Sequence, residues 1–198
     1  MGYIVDDPYT YPNSPVLRNI PDIRELSQLE TFEADMVVRR TVELSYRPVR
    51  GAFDSAHLKA IHHYLFQDVY EWAGKFRTVN MARSEQITFA HFGHIEPYLA
   101  NVFGQLAAED HLRGRKPEEF AGRAAFYLGE INAVHPFREG NGRTQREFVR
   151  ALAVQAGFNI SWERLDRKRL YEASQISFLR GDNGPLADLL RAVLTAKE

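Results

Sequence analysis

Hydrophobic residues recur every three or four positions along most of the chain, which is the spacing of amphipathic helices. After Asp54, for example, Leu58, Ile61, Leu65 and Val69 fall on one helical face. Proline and glycine residues interrupt this pattern and mark where helices begin and end. The pattern predicts helices at about residues 22–45, 54–74, 91–112, 117–134, 143–156, 166–180 and 185–196.

Two segments depart from the helical pattern. Residues 1–21 hold several prolines and are predicted to form an irregular N-terminal arm, whose tyrosines at positions 3, 9 and 11 indicate packing against the body. In residues 75–90, apolar positions flank a polar tip, which predicts a β-hairpin. There is no internal repeat, low-complexity tract or linker, so we expect one all-α domain over residues 1–198 with a small hairpin.

Composition and charge narrow the class of protein. Of the 198 residues, 44% are hydrophobic and 26% are charged, as in ordinary globular proteins. Lysine and arginine total 25 against 26 acidic residues, and this balance disfavours direct binding of nucleic acid. The absence of cysteine excludes disulfides and a thiol nucleophile. With no long apolar run and no secretory signal, the expectation is a cytoplasmic protein without a membrane partner.

The candidate chemistry is concentrated in one segment, HPFREGNGRTQR, which begins at His135. Pro136 disfavours helical backbone at His135, so the preceding helix should end there and present the imidazole at the mouth of a loop. Gly140, Asn141 and Gly142 tolerate positive φ just before a helical run. Such a turn can aim several backbone N–H groups at one anion, next to the positive end of the helix dipole.

Charged residues around this turn strengthen the case for a phosphate site. Arg143 and Arg146 share a face of the first helical turn, where cations oppose the helix dipole by ~0.3–1 kcal/mol each. A bound polyanion would account for their position. Glu139 is the one acid in this group, and a carboxylate beside phosphates usually acts through Mg²⁺. With His135, these groups would supply a base, an anion hole and a metal ligand.

Each feature also has a structural interpretation. The histidine could be capped by carbonyls at the helix end, the Asn-Gly pair could be an ordinary turn, and the arginines could be solvated. Their clustering within twelve residues favours the functional interpretation. One conflict stays open at this stage: the C-terminus of a helix favours the charged imidazolium of His135, whereas nearby arginines and a magnesium ion favour the neutral base.

The segment 135–146 matches H-x-F-x-[DE]-G-N-G-R-x-x-R, the signature of the Fic family, at every fixed position. The chain also resembles bacterial Fic proteins at residues 7–9, 69–74 and 89–91, so the resemblance covers nearly its whole length. It implies the Fic fold, an all-α bundle with a β-hairpin flap. The flap would be at about residues 75–90 and the motif loop at residues 135–142.

The resemblance implies transfer of AMP from ATP to a tyrosine, serine or threonine hydroxyl of a target protein. By analogy, His135 is the general base, Glu139 holds Mg²⁺ on the phosphates, and Phe137 anchors the loop in the core. The flap would align the target segment by strand addition. The same analogy assigns ATP binding to five residues: Gly140, Asn141, Gly142, Arg143 and Arg146.

The regulation of the protein is inferred from the absence of an inhibitory motif in its sequence. Many Fic proteins are inhibited by the glutamate of a motif [ST]-x-x-x-E-[GN], which pairs with the second motif arginine, here Arg146. In this chain the only glutamate followed by Gly or Asn is Glu139, and it is preceded four positions earlier by His135. The resemblance therefore predicts a toxin held off by a small antitoxin that carries the motif. In that class, targets include gyrase and topoisomerase IV.

Several further functions stay open. The same scaffold could be a phosphotransferase or could transfer UMP or phosphocholine, although relatives that transfer phosphate depart from Gly-Asn-Gly-Arg. The chain could instead be a nucleotide-dependent binding module without activity, against which the intact His135 argues. It could also be the N-terminal domain of a longer secreted effector that is translocated into a host cell.

Overall fold

The computed structural model describes residues 7–84 and 86–197. In these residues the chain forms helices connected by short loops, together with two small antiparallel pairs of strands. The elements in chain order are α1 (Leu26–Tyr46), α2 (Ser55–Phe66), β1 (Ala82–Ser84), β2 (Ile87–Thr88), α3 (Ile95–Ala108), α4 (Pro117–Val134), α5 (Asn141–Gln155), β3 (Phe158–Ile160), α6 (Arg167–Arg180), α7 (Gly184–Val193) and β4 (Leu194–Ala196).

Helix α4 is the centre of the bundle and contacts α3, α5, α6 and α7. Pro117 occupies its first turn, where the missing N–H costs no hydrogen bond, and Glu118 and Glu119 lie favourably near the positive end of its dipole. Its apolar side chains are almost wholly buried, including Phe120 and Ile131. Burial of each large apolar side chain contributes ~1.5–3 kcal/mol, so packing against the neighbours stabilises this helix.

The predicted all-α class with a small hairpin is confirmed, but several helix ends differ from the prediction. Helix α1 begins at Leu26 instead of residue 22, because the chain turns at Asp22 with φ 57°. Helix α2 ends at Phe66 instead of residue 74, and turns follow it. Only residues 95–108 of the predicted helix 91–112 are α-helical, because positive φ angles at residues 110–112 break its end.

The C-terminal segment corrects a further prediction. The last helix, predicted over residues 185–196, ends at Val193, and residues 194–196 form β4 instead. Strand β4 pairs with β3, with Ile160 opposite Leu194 and Phe158 opposite Ala196. Sequence periodicity missed this sheet because each strand has only three residues, too few to show alternation of apolar and polar positions.

The described part of the N-terminal arm, residues 7–21, packs on the body, as predicted. The ring of Tyr9 packs edge-on against Trp72, and its hydroxyl accepts a hydrogen bond from the backbone N–H of Thr78 at 3.1 Å. Asp7 pairs with Arg138 of the motif segment, with 2.7 Å between Oδ2 and Nη2. The arm is therefore attached both to the base of the hairpin and to the motif loop. Tyr3 lies outside the described residues.

The hairpin of β1 and β2 is shorter than the predicted residues 75–90. Ala82 lies opposite Thr88, and an irregularity in the register brings Ser84 opposite Ile87. Ile87 and Phe89 turn towards the body and are buried, whereas all three residues of β1 are exposed. Among the described residues β1 pairs only with β2, so the other edge of β1 is open to pairing with another strand. We call residues 75–90 the flap.

Candidate active site

The motif loop joins α4 to α5 and is held by contacts from its own side chains. The ring of Phe137 is buried, as predicted, and stacks on His62 with 3.9 Å between ring centroids. The Asn141 side chain accepts a hydrogen bond from the backbone N–H of Phe137 at 2.9 Å and donates one to its carbonyl at 2.7 Å. The side-chain amide of Asn141 therefore holds the shape of the motif loop.

Gly140 makes the sharp turn into α5. Its φ is 78°, which disfavours any residue with a side chain, and an added Cβ would lie 2.2 Å from Cζ of Phe66. The first backbone hydrogen bond of α5 runs from Thr144 N–H to the Gly140 carbonyl. The N–H groups of the preceding residues of α5 therefore remain available at the helix N-terminus, which is an anion-binding arrangement.

Arginine side chains surround this N-terminus. The side chain of Arg146 passes over Gly142, where an added Cβ would lie 3.3 Å from its Nη1. Arg146 is half-buried; burial first, and then repulsion from Arg143 and Arg167, lower its pKa. Among the described residues no carboxylate pairs with it. A bound anion would relieve both the burial of this charge and the repulsion between like charges.

Arg143 is held from the side by carboxylates. Its Nη2 donates to Glu33 Oε1 at 2.6 Å and to Glu139 Oε1 at 3.3 Å, while its guanidinium lies 4.8 Å above the ring of Phe66. Glu33 is itself buried and accepts a hydrogen bond from the Tyr70 hydroxyl. Among the described residues only Nη2 of Arg143 has a partner, so its Nε and Nη1 stay available for a phosphate.

Glu139 stands at the edge of the same site. Its Oε1 accepts hydrogen bonds from the Gly140 backbone N–H at 2.8 Å and from Arg143, whereas Oε2 makes none with the described residues. Its side chain is 38% exposed and lines a cleft of about 1030 Å³ between the N-terminal arm, α1 and the flap. The described residues contain no cluster of three or more potential metal ligands, so a cation here would need further oxygens from a ligand.

His135 follows the last residue of α4 in a left-handed conformation, with φ 49° and ψ 63°. Its ring stacks on Phe89 of the flap, with 3.8 Å between centroids and 9° between planes. Burial lowers its pKa to about 3, and the charges of Arg83 and Arg77 act in the same direction, against the backbone of Asn132. Burial therefore outweighs the helix dipole, and the imidazole is neutral at pH 7.

The sequence-predicted site residues lie together around the N-terminus of α5 and the end of α4. Three further residues were missed. Arg77 is buried at the base of the flap, His62 Nε2 donates to the Glu139 carbonyl at 3.1 Å, and Glu33 contacts Arg143. Contacts from residues so distant in sequence leave no local pattern that could have identified them.

Comparison with known proteins identifies the family. Residues 52–153 match the model of the Fic/DOC family. The chain is 42% identical to the probable protein adenylyltransferase y4lH of Sinorhizobium fredii, over 96% of this chain and 97% of that protein. It is 45% identical to the protein adenylyltransferase VbhT of Bartonella schoenbuchensis, of which it spans 39%. The chain belongs to the Fic/DOC family.

Solved structures agree with the fold. The N-terminal Fic domain of a VirB-translocated effector from Bartonella quintana, with bound ADP, superposes with a TM-score of 0.93 at 30% identity, covering 98% of this chain and 97% of that one. BepC of Bartonella tribocorum, with bound AMPPNP, also superposes with a TM-score of 0.93, at 26% identity, covering 99% of this chain and 100% of that one.

Within the described residues, no helix is both long and apolar enough to cross a membrane.

Proposed function

We propose that this protein transfers AMP from ATP to a hydroxyl group of a target protein, with His135 as the general base. The enzyme class follows from the relatives that match 85–96% of this chain, which are named protein adenylyltransferase or probable protein adenylyltransferase: the chain is a protein adenylyltransferase. The observation that carries the residue assignment is the half-buried Arg146, which lacks a carboxylate partner among the described residues and lies over the N-terminus of α5.

In this proposal, the phosphates of ATP occupy the space above the start of α5. The N–H groups of Asn141, Gly142 and Arg143 bind phosphate oxygens, while the free nitrogens of Arg143 and the guanidinium of Arg146 bind the outer phosphates. Gly140 makes this arrangement possible because it supplies the turn. Two relatives with the same fold contain ADP or AMPPNP, which supports a nucleotide as the ligand.

His135 then takes the proton of the target hydroxyl. Its imidazole is neutral, as a base must be, because burial and the charges of Arg83 and Arg77 disfavour the imidazolium. The hydroxyl oxygen bonds to the α-phosphorus as the bond from this phosphorus to the bridging oxygen breaks, and pyrophosphate leaves. Little covalent chemistry is required of the protein, so positioning and electrostatic stabilisation account for most of the rate.

Magnesium fits the carboxylate of Glu139. Mg²⁺ usually takes one or two carboxylates together with phosphate oxygens and water, and Oε2 of Glu139 is free among the described residues. Bound there, the ion would neutralise charge on the phosphates. Oε1 stays engaged with the Gly140 N–H and with Arg143, so the carboxylate is already oriented by the loop.

The target segment is proposed to pair with the exposed edge of β1. Backbone hydrogen bonds of an added strand give affinity without dependence on sequence, which suits an enzyme that must bring one side chain to His135. The candidate targets are the type II topoisomerases, gyrase and topoisomerase IV, with a small antitoxin as inhibitor. Arg146, unpaired among the described residues, is the group that the inhibitory glutamate of an antitoxin would bind.

A second setting is favoured by the solved relatives, several of which are named as VirB-translocated effector proteins. In that case the chain would be the Fic domain of a longer protein, which agrees with its spanning only 39% of the length of VbhT. The chemistry proposed at His135 is the same in both settings. The two settings are distinguished by adding the protein and α-labelled ATP to a bacterial lysate and, separately, to a host-cell lysate. A toxin should label topoisomerase subunits in the bacterial lysate, whereas an effector should label proteins of the host cell.

The test of the transferred group uses ATP labelled at the α- or the γ-phosphate, with bacterial lysate and with purified gyrase. We expect label on protein from α-labelled ATP and none from γ-labelled ATP. Label from the γ-position would instead identify a phosphotransferase. A faster reaction with UTP or CDP-choline as the donor would refute AMP transfer and identify transfer of UMP or phosphocholine.

A further inference from the structure

Arg77 is a cation buried at the base of the flap, and the chemistry described above uses only its charge, which disfavours the imidazolium of His135. Only 2% of its surface is exposed, and among the described residues no carboxylate pairs with it. A buried charge without a counter-ion is unfavourable, and burial lowers the pKa of Arg77 to about 10. Such a residue needs a compensating set of hydrogen bonds, and here all of them are to backbone carbonyls.

The guanidinium binds carbonyls from both sides of the site. Its Nε donates to the His135 carbonyl at 2.8 Å, and its Nη2 donates to the Val134 carbonyl at 3.0 Å. On the flap side, Nη1 donates to Val79 and Nη2 to Ala90, both at 2.5 Å. The end of α4 and the two ends of the flap are therefore joined through one side chain.

The backbone of Arg77 adds to this connection. Its N–H donates to the Pro136 carbonyl at 2.9 Å, so residue 77 binds three consecutive carbonyls, those of residues 134, 135 and 136. His135 needs such support because its left-handed φ of 49° is unfavourable for a residue with a side chain. The positive charge also offsets the negative end of the α4 dipole.

Arg77 binds the backbone next to both rings of the His135–Phe89 stack. His135 stacks on Phe89, and Phe89 precedes Ala90, whose carbonyl the guanidinium binds. The orientation of the imidazole and the position of the flap are consequently set by the same hydrogen bonds. We propose that Arg77 is a positioning residue for the transfer reaction, which locks the imidazole of His135 against the flap. This proposal rests on His135 being the base.

The test compares Arg77→Gln and Arg77→Lys with the same changes at Arg123, a control arginine on α4 that pairs with Glu109 away from the site. We measure α-label transfer at saturating ATP, ATP affinity by calorimetry, thermal unfolding, and the NMR ring-current shift of the His135 ring caused by Phe89. For Arg77→Gln we expect a roughly 10²-fold slower transfer, because small misplacements of a reacting group cost about this much.

ATP affinity should change by less than about threefold, because the phosphate site lies on α5 and keeps its own contacts. The ring-current shift should be lost, and Arg77→Lys should recover part of the rate because it keeps the charge but not all four hydrogen bonds. The Arg123 variants should transfer at the wild-type rate. If Arg77→Gln does not fold, Arg77→Lys is judged by the same rate and ring-shift criteria.

Full transfer activity, or an unchanged His135 ring signal, in both Arg77 variants would overturn the proposal. So would a parallel loss of ATP affinity, rate and thermal stability, since this would indicate a purely structural role. His135→Ala is assayed alongside. If it keeps its activity, the base assignment fails, while the ring-current shift still reports whether Arg77 positions the imidazole.

Discussion

Replacement of Gly140 by alanine tests the turn on which the phosphate site depends. The left-handed conformation at φ 78° costs an alanine ~1–2 kcal/mol, of which ~0.4–1 kcal/mol is recovered because alanine restricts the unfolded chain. In addition, the new Cβ would lie 2.2 Å from Cζ of Phe66. Phe66 is fully buried and stacked on His62, so it cannot move aside without disturbing the core. Overpacking of this kind costs ~1–3 kcal/mol.

Gly157→Ala is the matched control. Gly157 also has a positive φ, 90°, but an added Cβ there would meet no atom of the described residues within 4 Å. We therefore expect Gly157→Ala to lower the free energy of unfolding by about 1 kcal/mol and Gly140→Ala by about 2–4 kcal/mol. Urea unfolding followed by circular dichroism measures both values. Equal losses in the two variants would refute the close approach of Gly140 to Phe66.

The same two variants distinguish an effect on ATP binding from an effect on stability. Gly140→Ala should weaken ATP binding at least tenfold, whereas Gly157→Ala should leave it unchanged, because only Gly140 shapes the N-terminus of α5. In a double-mutant cycle, Phe66→Leu should cost less in the Gly140→Ala background than in the wild type, since it removes the ring atoms that the new methyl meets. Strict additivity of the two changes would contradict the clash.

Other predictions address the arm, the buried imidazole and the metal ligand. Asp7→Asn leaves the largely buried Arg138 without its carboxylate partner and should cost ~3–5 kcal/mol in urea unfolding, whereas Asp22→Asn breaks an exposed pair with Arg24 and should cost much less. Between about pH 3 and pH 6.5 the unfolded chain protonates a histidine that stays neutral in the folded state, so stability should rise with pH in this window. His135→Gln should reduce the slope of the free energy of unfolding against pH by up to about 1.4 kcal/mol per pH unit, which urea titrations at several pH values would detect. An unchanged slope would show that the protonation responsible is not that of His135. EDTA should abolish AMP transfer, and Glu139→Gln should raise the Mg²⁺ concentration required for half-maximal rate; a variant with wild-type Mg²⁺ dependence would exclude this carboxylate as the ligand.

Much of the fold was predictable from local signals. Helix α4 was predicted with both ends correct, because Pro117 marks its start and Pro136 limits its end. The predictions failed where tertiary packing or chain reversal decides the structure. The three-residue strands β3 and β4 are stabilised by pairing with each other and by burial of Phe158 and Ile160 in the core, and the end of α2 at Phe66 depends on the turn that follows it.

The candidate site was predictable to the extent that it lies within one continuous segment. Gly140 and Arg146 are recognisable in the sequence because a glycine turn and arginines at the N-terminus of a helix favour anion binding. The groups that support the site come from elsewhere in the chain, such as Glu33 on α1 and Arg77 at the flap. The protonation state of His135 was also undecidable from sequence, because burial, its largest determinant, is a property of the folded molecule.

The most direct test of the central claim separates nucleotide binding from transfer in two variants. ATP affinity and the single-turnover rate of α-label transfer to purified gyrase or to a lysate are measured for His135→Ala and Arg146→Ala. The account predicts that His135→Ala binds ATP as the wild type does but transfers AMP at least ~10²–10⁴-fold more slowly, whereas Arg146→Ala loses ATP affinity. Undiminished transfer by His135→Ala, with ATP affinity intact, would contradict the assignment of His135 as the base.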